Sequence, residues 1–134
     1  MSYKLGKKSW KALQGVHPAL AFAVTEAIKL SKQDFTVFEG LRSVERQKEL
    51  VAKGSSKTMD SYHLYGLAVD LVAIVDGKVT WEEKYYYEIG HAMKEVIARH
   101  SLPIDWGYEL WKWDLPHWQM TGHKDKYDIR KLTT

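Results

Sequence analysis

The chain has 134 residues, of which 45% are hydrophobic and 28% are charged, and it contains no cysteine. This length suits a single domain with one core, and the composition is ordinary for a globular protein. The lack of cysteine excludes a disulfide framework and a metal site with thiolate ligands. The formal net charge of +3 favours approach to an anionic surface, but it is equally consistent with simple solubility.

Neither a membrane span nor a secretion signal is visible in the sequence. No stretch is long and apolar enough to cross a bilayer, so we expect no membrane insertion. The opening residues, MSYKLGKKSWKAL, lack the apolar segment of a secretory signal peptide. We therefore expect a protein that is made without a signal for secretion. We also expect it to be a monomer.

The first half of the chain shows three helical patterns and one strand pattern. Ser9 is a candidate N-cap, and Pro18 suits the first turn of a helix, where a backbone N–H is not needed. The side chains of DFTVFE alternate as in a strand, and Gly40 breaks the pattern. The predicted elements are a short helix over 9–14, a helix over 18–31, a strand over 34–39 and a helix over 43–54.

The second half begins with an apolar strand and contains a long helix. Asp76-Gly77 predicts a tight turn, and Thr80 is a candidate cap for the helix that follows. The residues after Gly122 are polar and charged, and we expect them at the surface. The predicted elements are a strand over 66–74, a helix over 81–100, a strand over 104–110, a loop over 111–115 and a strand over 117–121. Together the two halves predict one α+β domain with helices on one face of a small, mainly antiparallel sheet.

An aspartate stands in the middle of the apolar strand, in the sequence GLAVDLVAI. Side chains alternate faces along a strand, so Ala68 and Asp70 share one face. A carboxylate in apolar surroundings is normally paired or bound to a metal ion. His63 lies in the segment entering the strand, across a turn that Gly66 makes easy. We interpret His63 and Asp70 as two ligands that converge on one metal ion.

The stretch WDLPHWQM supplies a third ligand. Pro116 excludes a helix interior, so this is not the helical H-E-x-x-H arrangement of many zinc peptidases. His117 follows in a strand, and Asp114 lies three residues earlier, where it reaches the site without being a ligand. Two histidines, one aspartate and an open fourth position are typical of a catalytic zinc site, because a structural site fills all four positions.

Other candidates have simpler explanations. His91 and His100 lie on one predicted helix at roughly opposite faces, so they do not share a metal. Arg42 is either a surface residue at a strand-to-helix junction or a planar fork for a substrate carboxylate or an oxyanion. Several tryptophans lie near the C-terminal end of the sequence. They either belong to the hydrophobic core and its edge or line a substrate groove, and Trp113 is the best groove candidate because it precedes Asp114.

The pattern S-x-H-x-x-G-x-A-x-D over 61–70, followed by D-x-x-H over 114–117, resembles a known family. It is the zinc D,D-carboxypeptidase/L,D-endopeptidase family that cuts peptidoglycan peptides, peptidase family M15. The chain is similar to phage endolysins of the L-alanyl-D-glutamate endopeptidase type, from MSYKLGKKS to His117. The resemblance implies a D,D-peptidase/hedgehog-like fold, with helices on one face of the sheet and the zinc site on the other.

The resemblance also implies roles for individual residues. The zinc ligands are His63, Asp70 and His117, and the general base is Asp114. Arg42 acts in catalysis and substrate binding, Ser61 contacts the substrate, and Gln119 stands where an acidic residue often follows the second histidine. Apart from the resemblance, Trp113 is expected to contact the substrate because of its place next to Asp114.

The expected function is that of a single catalytic domain over 1–134 with no separate wall-binding domain. It would cut the stem peptide of peptidoglycan as a phage endolysin, held in the host cytoplasm until another agent releases it to the periplasm and cell wall. One alternative is a D-alanyl-D-alanine carboxypeptidase. Another is a non-catalytic wall- or nucleic-acid-binding module, suggested by basic charge and aromatic residues. Asp70 and Asp114 argue against nucleic acid, because carboxylates repel phosphate.

Overall fold

The structure, a computed structural model, describes residues 2–127 and has the predicted α+β architecture. No helix in this part of the chain is long and apolar enough to cross a membrane. Short 3₁₀ turns occur at Tyr62–Tyr65 and Lys124–Tyr127. The helices and strands are α1 (Lys7–Ala12), α2 (Pro18–Leu30), β1 (Phe35–Glu39), α3 (Val44–Ala52), β2 (Ala68–Val75), β3 (Lys78–Thr80), α4 (Glu83–His100), β4 (Ile104–Trp106), α5 (Gly107–Trp111) and β5 (His117–Met120).

The sheet is antiparallel and has β2 at its centre, as predicted. Its strand order is β1-β2-β5-β4, and the short β3 pairs with the second half of β2. Asp70 lies opposite His117 on β5 and next to Glu39 on β1. Three chain segments that are distant in sequence therefore meet at one point of the sheet.

The two faces of β2 have different surroundings. Val69, Leu71 and Ala73 point into the core, together with Trp118 from β5 and residues of α2 and α4. The alternate residues Asp70 and Val72 face a groove on the opposite side. The helices α2 and α4 and the candidate site thus occupy opposite faces of the sheet, as the resemblance implied, while α3 and α5 lie beside the groove.

The strand predicted over 104–110 is wrong in its second half. It ends at Trp106, and residues Gly107–Trp111 form α5 instead. A Cβ at Gly107 would lie 2.8 Å from the carbonyl oxygen of Asp114 and 3.0 Å from Cβ of His117, so only glycine allows this close approach. A helix of five residues is too short to show its period in the sequence, which explains the error.

The predicted cap at Ser9 is also wrong. Ser9 lies inside α1 and is 1% exposed. Its hydroxyl pairs with Oγ1 of Thr36 at 2.8 Å and accepts the backbone N–H of Val37 at 2.9 Å. Ser9 therefore joins α1 to β1 rather than capping a helix.

The long helix was predicted correctly, but its start differs. Glu82 precedes the first turn of α4 without a capping side chain. Thr80 ends β3, and its hydroxyl oxygen accepts the N–H of Glu82 at 3.4 Å. The carbonyl of Thr80 accepts the hydroxyl of the buried Tyr86 at 2.8 Å, which ties the helix to the sheet.

The predicted surface tail is confirmed as far as the structure describes it. Residues 122–127 are exposed or half-buried. Residues 128–134 lie outside the described part of the chain.

Candidate metal centre and substrate groove

His63 is held by the 3₁₀ turn that precedes β2. The hydroxyl of Ser61 accepts the backbone N–H of His63 at 3.2 Å. The turn ends at Gly66 with φ 70°, a left-handed conformation that glycine adopts with little strain because it has no Cβ. The imidazole is 3% exposed, and its Nδ1 donates to the carbonyl of Gly40 at 2.9 Å. The lone pair of Nε2 therefore faces the groove.

His117 and Asp70 are brought together by strand pairing. They lie opposite each other on β5 and β2, and side chains of opposite residues are neighbours on one face. Nδ1 of His117 lies 3.1 Å from Oδ1 of Asp70, while Oδ2 of Asp70 lies 3.3 Å from Nε2 of His63. Nε2 of His117 donates to Oε1 of Gln119 at 2.9 Å, which leaves Nδ1 as the atom with a lone pair.

These three side chains fit a metal ion. One ligand atom from each lies within 4.8 Å of the other two, and within residues 2–127 this is the group that could hold an ion. Two imidazole nitrogens and one carboxylate oxygen are ligands that zinc accepts. Gln119 supports His117 from behind, although the family pattern often has an acidic residue there. Gln119 differs from the family pattern, yet the hydrogen bond to the His117 ring is still made.

The local charges favour a ligating state of Asp70. Burial alone would raise the pKa of its carboxyl, but the hydrogen bonds and the positive charge of His117 and His63 in their protonated forms together outweigh burial and hold that pKa well below its usual range. Burial is the largest single effect on His117 and lowers its pKa, but the hydrogen bond to Asp70, the charge of Asp70 and the smaller effects of Gln119 and Asp114 together outweigh burial and raise it. Asp70 is thus an anion placed between two histidines.

Asp114 lies beside this group without being part of it. Its side chain is half-buried and lines the groove near His117. Burial raises the pKa of Asp114, the charge of Asp70 adds to the rise, and His117 and His63 oppose it. A carboxyl whose pKa is raised above its usual value is better suited to accept and return a proton.

The group lies in the floor of a groove of about 960 Å³. One wall consists of α3 and the 54–58 loop, and the other contains Trp111 and Trp113. Trp113 is 71% exposed, while the ring of Trp111 lies 5.4 Å from that of His117. All of the residues named from the sequence as catalytic, binding or ligating line this groove: Arg42, Ser61, His63, Asp70, Trp113, Asp114 and His117.

Arg42 is almost enclosed by protein partners. Nε and Nη2 donate to the two carboxylate oxygens of Glu39, each at 2.8 Å, and Nη1 donates to Oε1 of Gln47 at 2.8 Å. Its Nη2 also lies 3.9 Å from Oδ2 of Asp70. Of the five N–H groups of a guanidinium, two remain for a substrate.

Sequence reasoning missed the partners of Arg42. Glu39 was assigned only to a strand, and Gln47 and Arg46 only to a helix. Gln47 is fully buried and donates to Ser56, so it connects Arg42 to the groove wall. A polar residue at an inward position of α3 was the available signal, but one sequence does not show what it contacts.

Comparison with known proteins gives a consistent result. Residues 1–129 match the family model described as phage L-alanyl-D-glutamate peptidase. The L-alanyl-D-glutamate peptidase of Escherichia phage T5 is 37% identical over 111 residues, which are 80% of this chain and 81% of that protein.

Two solved structures are similar to this fold. The crystal structure of the L-Ala D-Glu endopeptidase ChiX of Serratia marcescens has a TM-score of 0.82 at 38% identity, covering 99% of this chain and 96% of that one. VanYB in complex with D-alanine-D-alanine has a TM-score of 0.50 at 19% identity, covering 87% of this chain and 75% of that one, a likeness of fold alone.

Proposed function

Because the chain belongs to the phage L-alanyl-D-glutamate peptidase family, we propose that it is a zinc endopeptidase of bacterial peptidoglycan. It hydrolyses the bond between L-alanine and D-glutamate in the stem peptide. The observation that carries the proposal is the convergence of His63, Asp70 and His117 in the groove floor beside Asp114. Zinc held by these residues supplies a Lewis acid and lowers the pKa of a bound water to about 7.

Asp114 moves the proton in this scheme. It accepts the proton of the attacking water as the new C–O bond forms at the alanyl carbonyl carbon. It then returns the proton to the glutamyl nitrogen as the C–N bond breaks, which releases a free amine and an alanyl carboxylate. Its raised pKa suits both steps, because the acid and the base are then close in free energy.

Arg42 stabilises the negative charge that develops on the carbonyl oxygen. Its bonds to Glu39 and Gln47 fix the guanidinium beside Asp70 before the substrate binds. A donor fixed in this way typically contributes roughly 3–4 kcal/mol to the transition state. Ser61 and Trp113 line the groove and contact the bound peptide.

The family also supports a proposal for the biological setting. We propose that the protein is a single-domain monomer that acts as a phage endolysin and stays in the host cytoplasm until another agent gives it access to the cell wall. The net charge of +3 assists its approach to the anionic wall.

The test is to incubate the purified protein with peptidoglycan and identify the products by mass spectrometry. We expect fragments with a new C-terminal L-alanine and a new N-terminal D-glutamate. A chelator should stop the reaction and added zinc should restore it. Release of a terminal D-alanine would instead favour a carboxypeptidase, and binding to the wall without cleavage would indicate a non-catalytic module.

A further inference from the structure

The groove wall carries an arginine for which the reaction has no use. Arg46 lies on α3, lines the groove, and has a side chain that is 42% exposed. We propose that Arg46 binds the free carboxylate of the D-glutamyl residue and makes the enzyme selective for that acid over its amide. This inference rests on the proposed function, because it names how the same groove selects its substrate.

The substrate requires a cation at this point. Glutamate has two carboxyl groups, and only one of them joins the next residue of the peptide. The other remains as an anion within a few bonds of the amide nitrogen that is released. The zinc ion offsets the charge of Asp70, but the carboxylate of Asp114 in the groove would repel this anion, and a positive group on the groove wall would counteract that repulsion.

Arg42 is not available for this carboxylate. Its side chain is 8% exposed, and its fork already holds Glu39, whose side chain is 18% exposed. Exchanging Glu39 for a substrate carboxylate would leave a largely buried anion without its partner, which is strongly unfavourable. Gln47, fully buried, would lose its contact as well.

Arg46 is more exposed than Arg42 and is held less tightly. Nη1 of Arg46 donates a hydrogen bond to Oε2 of Glu49 at 3.3 Å, and the side chain of Glu49 is 59% exposed. An exposed ion pair of this kind contributes little, so a substrate carboxylate can replace Glu49 at small cost. A guanidinium binds a carboxylate through two parallel N–H groups, which a lysine ammonium does not reproduce.

The position of Arg46 also fits. Nη2 of Arg42 is 3.9 Å from Asp70, and Nε of Arg46 is 3.9 Å from the same Glu39 carboxylate that Arg42 holds. One arginine and one glutamate thus separate Arg46 from the metal ligands. That places its charge on the groove wall, within the same groove as the metal ligands but outside the catalytic group.

The experiment compares two soluble muropeptides that differ only in whether the free D-glutamyl carboxyl is an acid or an amide. The variants are Arg46→Gln, Arg46→Lys and the control Lys48→Gln, which removes the same charge from an exposed position on the same helix. The readout is kcat/KM for each substrate with the zinc-loaded enzyme. Melting temperatures and zinc content verify that each variant is folded and loaded.

We expect the unsubstituted enzyme to prefer the acid by roughly 10- to 100-fold, the size of a charge-assisted hydrogen bond. Arg46→Gln should lower kcat/KM for the acid to the value for the amide, mainly through KM. Its cleavage of the amide should not change. Arg46→Lys should keep part of the preference, and Lys48→Gln should keep all of it.

The outcomes separate this inference from the proposed function. Equal cleavage of acid and amide by the unsubstituted enzyme would overturn the role of Arg46 and leave the peptidase function intact. A preference that survives in Arg46→Gln, or that Lys48→Gln loses equally, would also overturn it. Cleavage of neither peptide would reject the proposed function itself.

Discussion

The floor of the groove and its wall are built by different means. In the floor, His63 and His117 are 3% and 8% exposed, and each ring has a hydrogen-bond partner behind it. On the walls, Arg46 and Trp113 are held by exposed contacts, and Trp113 is 71% exposed. The side chains of the floor are therefore more tightly constrained than those of the wall, which have room to adjust to a substrate.

This difference separates chemistry from selectivity. Reacting atoms must be held within a fraction of an ångström, which buried strands and hydrogen bonds achieve. Recognition of a large, variable polymer tolerates looser contacts. Substitutions in the floor should consequently affect metal binding and kcat, while substitutions in the wall should affect KM and substrate choice.

The largest effect is expected for the metal ligands. His117→Ala should lose bound zinc and with it wall-lytic activity, because one imidazole and one carboxylate are too few ligands to hold the ion. Added zinc should raise the melting temperature of the unsubstituted protein but not that of the variant. Metal analysis checks this, with His91→Ala on the exposed side of α4 as the control. Stoichiometric zinc in His117→Ala would contradict the assignment.

The next largest effect is expected for Asp114→Asn. Asparagine keeps the size of the side chain but does not accept a proton, so activity should fall by roughly 10²–10⁴-fold. Zinc content and melting temperature should remain close to those of the unsubstituted protein. Asp76→Asn, in the exposed turn between β2 and β3, is the control. If Asp114→Asn lost zinc, Asp114 would be a ligand, and if it stayed active, the base would be another group.

A smaller effect is expected for Gln119, which hydrogen-bonds the His117 ring on the side away from the metal site. Gln119→Ala removes the acceptor for Nε2 of His117 and should weaken zinc affinity by roughly 10- to 100-fold, as measured by competition with a chelator. Gln119→Glu should retain or increase the affinity, because a carboxylate accepts the same N–H more strongly. Gln14→Ala on the exposed surface should change nothing. Unchanged affinity in Gln119→Ala would show that the contact does not orient the ring.

The smallest effect is expected in the wall. Trp113→Ala should raise KM for peptidoglycan fragments by roughly 2- to 10-fold, because it removes an aromatic contact surface. The kcat value and zinc content should be unchanged. Trp10→Ala, an exposed tryptophan of α1 outside the groove, is the control. A fall in kcat alone would place Trp113 with the floor instead.

The floor of the groove was also easier to predict from the sequence than its wall. A carboxylate in an apolar strand is energetically unfavourable wherever it occurs. Asp70 therefore indicated a candidate site from the sequence alone, before its neighbours in space were known. The alternation of a strand then fixed the face on which it lies, and the central position of that strand was also predicted correctly.

The contacts of the wall carry no comparable signal. Glu39, Arg42 and Gln47 are close in sequence, but they meet at the junction between β1 and α3, where no strand or helix period indicates which side chains pair. The helix α5 was missed because five residues are shorter than two helical turns. Both features lie where the periodic patterns of helices and strands are interrupted or too short to recognise.

The position of Ser9 has a consequence for how the molecules behave towards each other. β1 is an outer strand of the sheet, and an outer strand offers unpaired backbone groups to which another molecule can add a strand. Ser9 occupies one of these groups, the N–H of Val37, and α1 packs along β1. The N-terminal helix thereby protects this edge of the sheet against edge-to-edge aggregation.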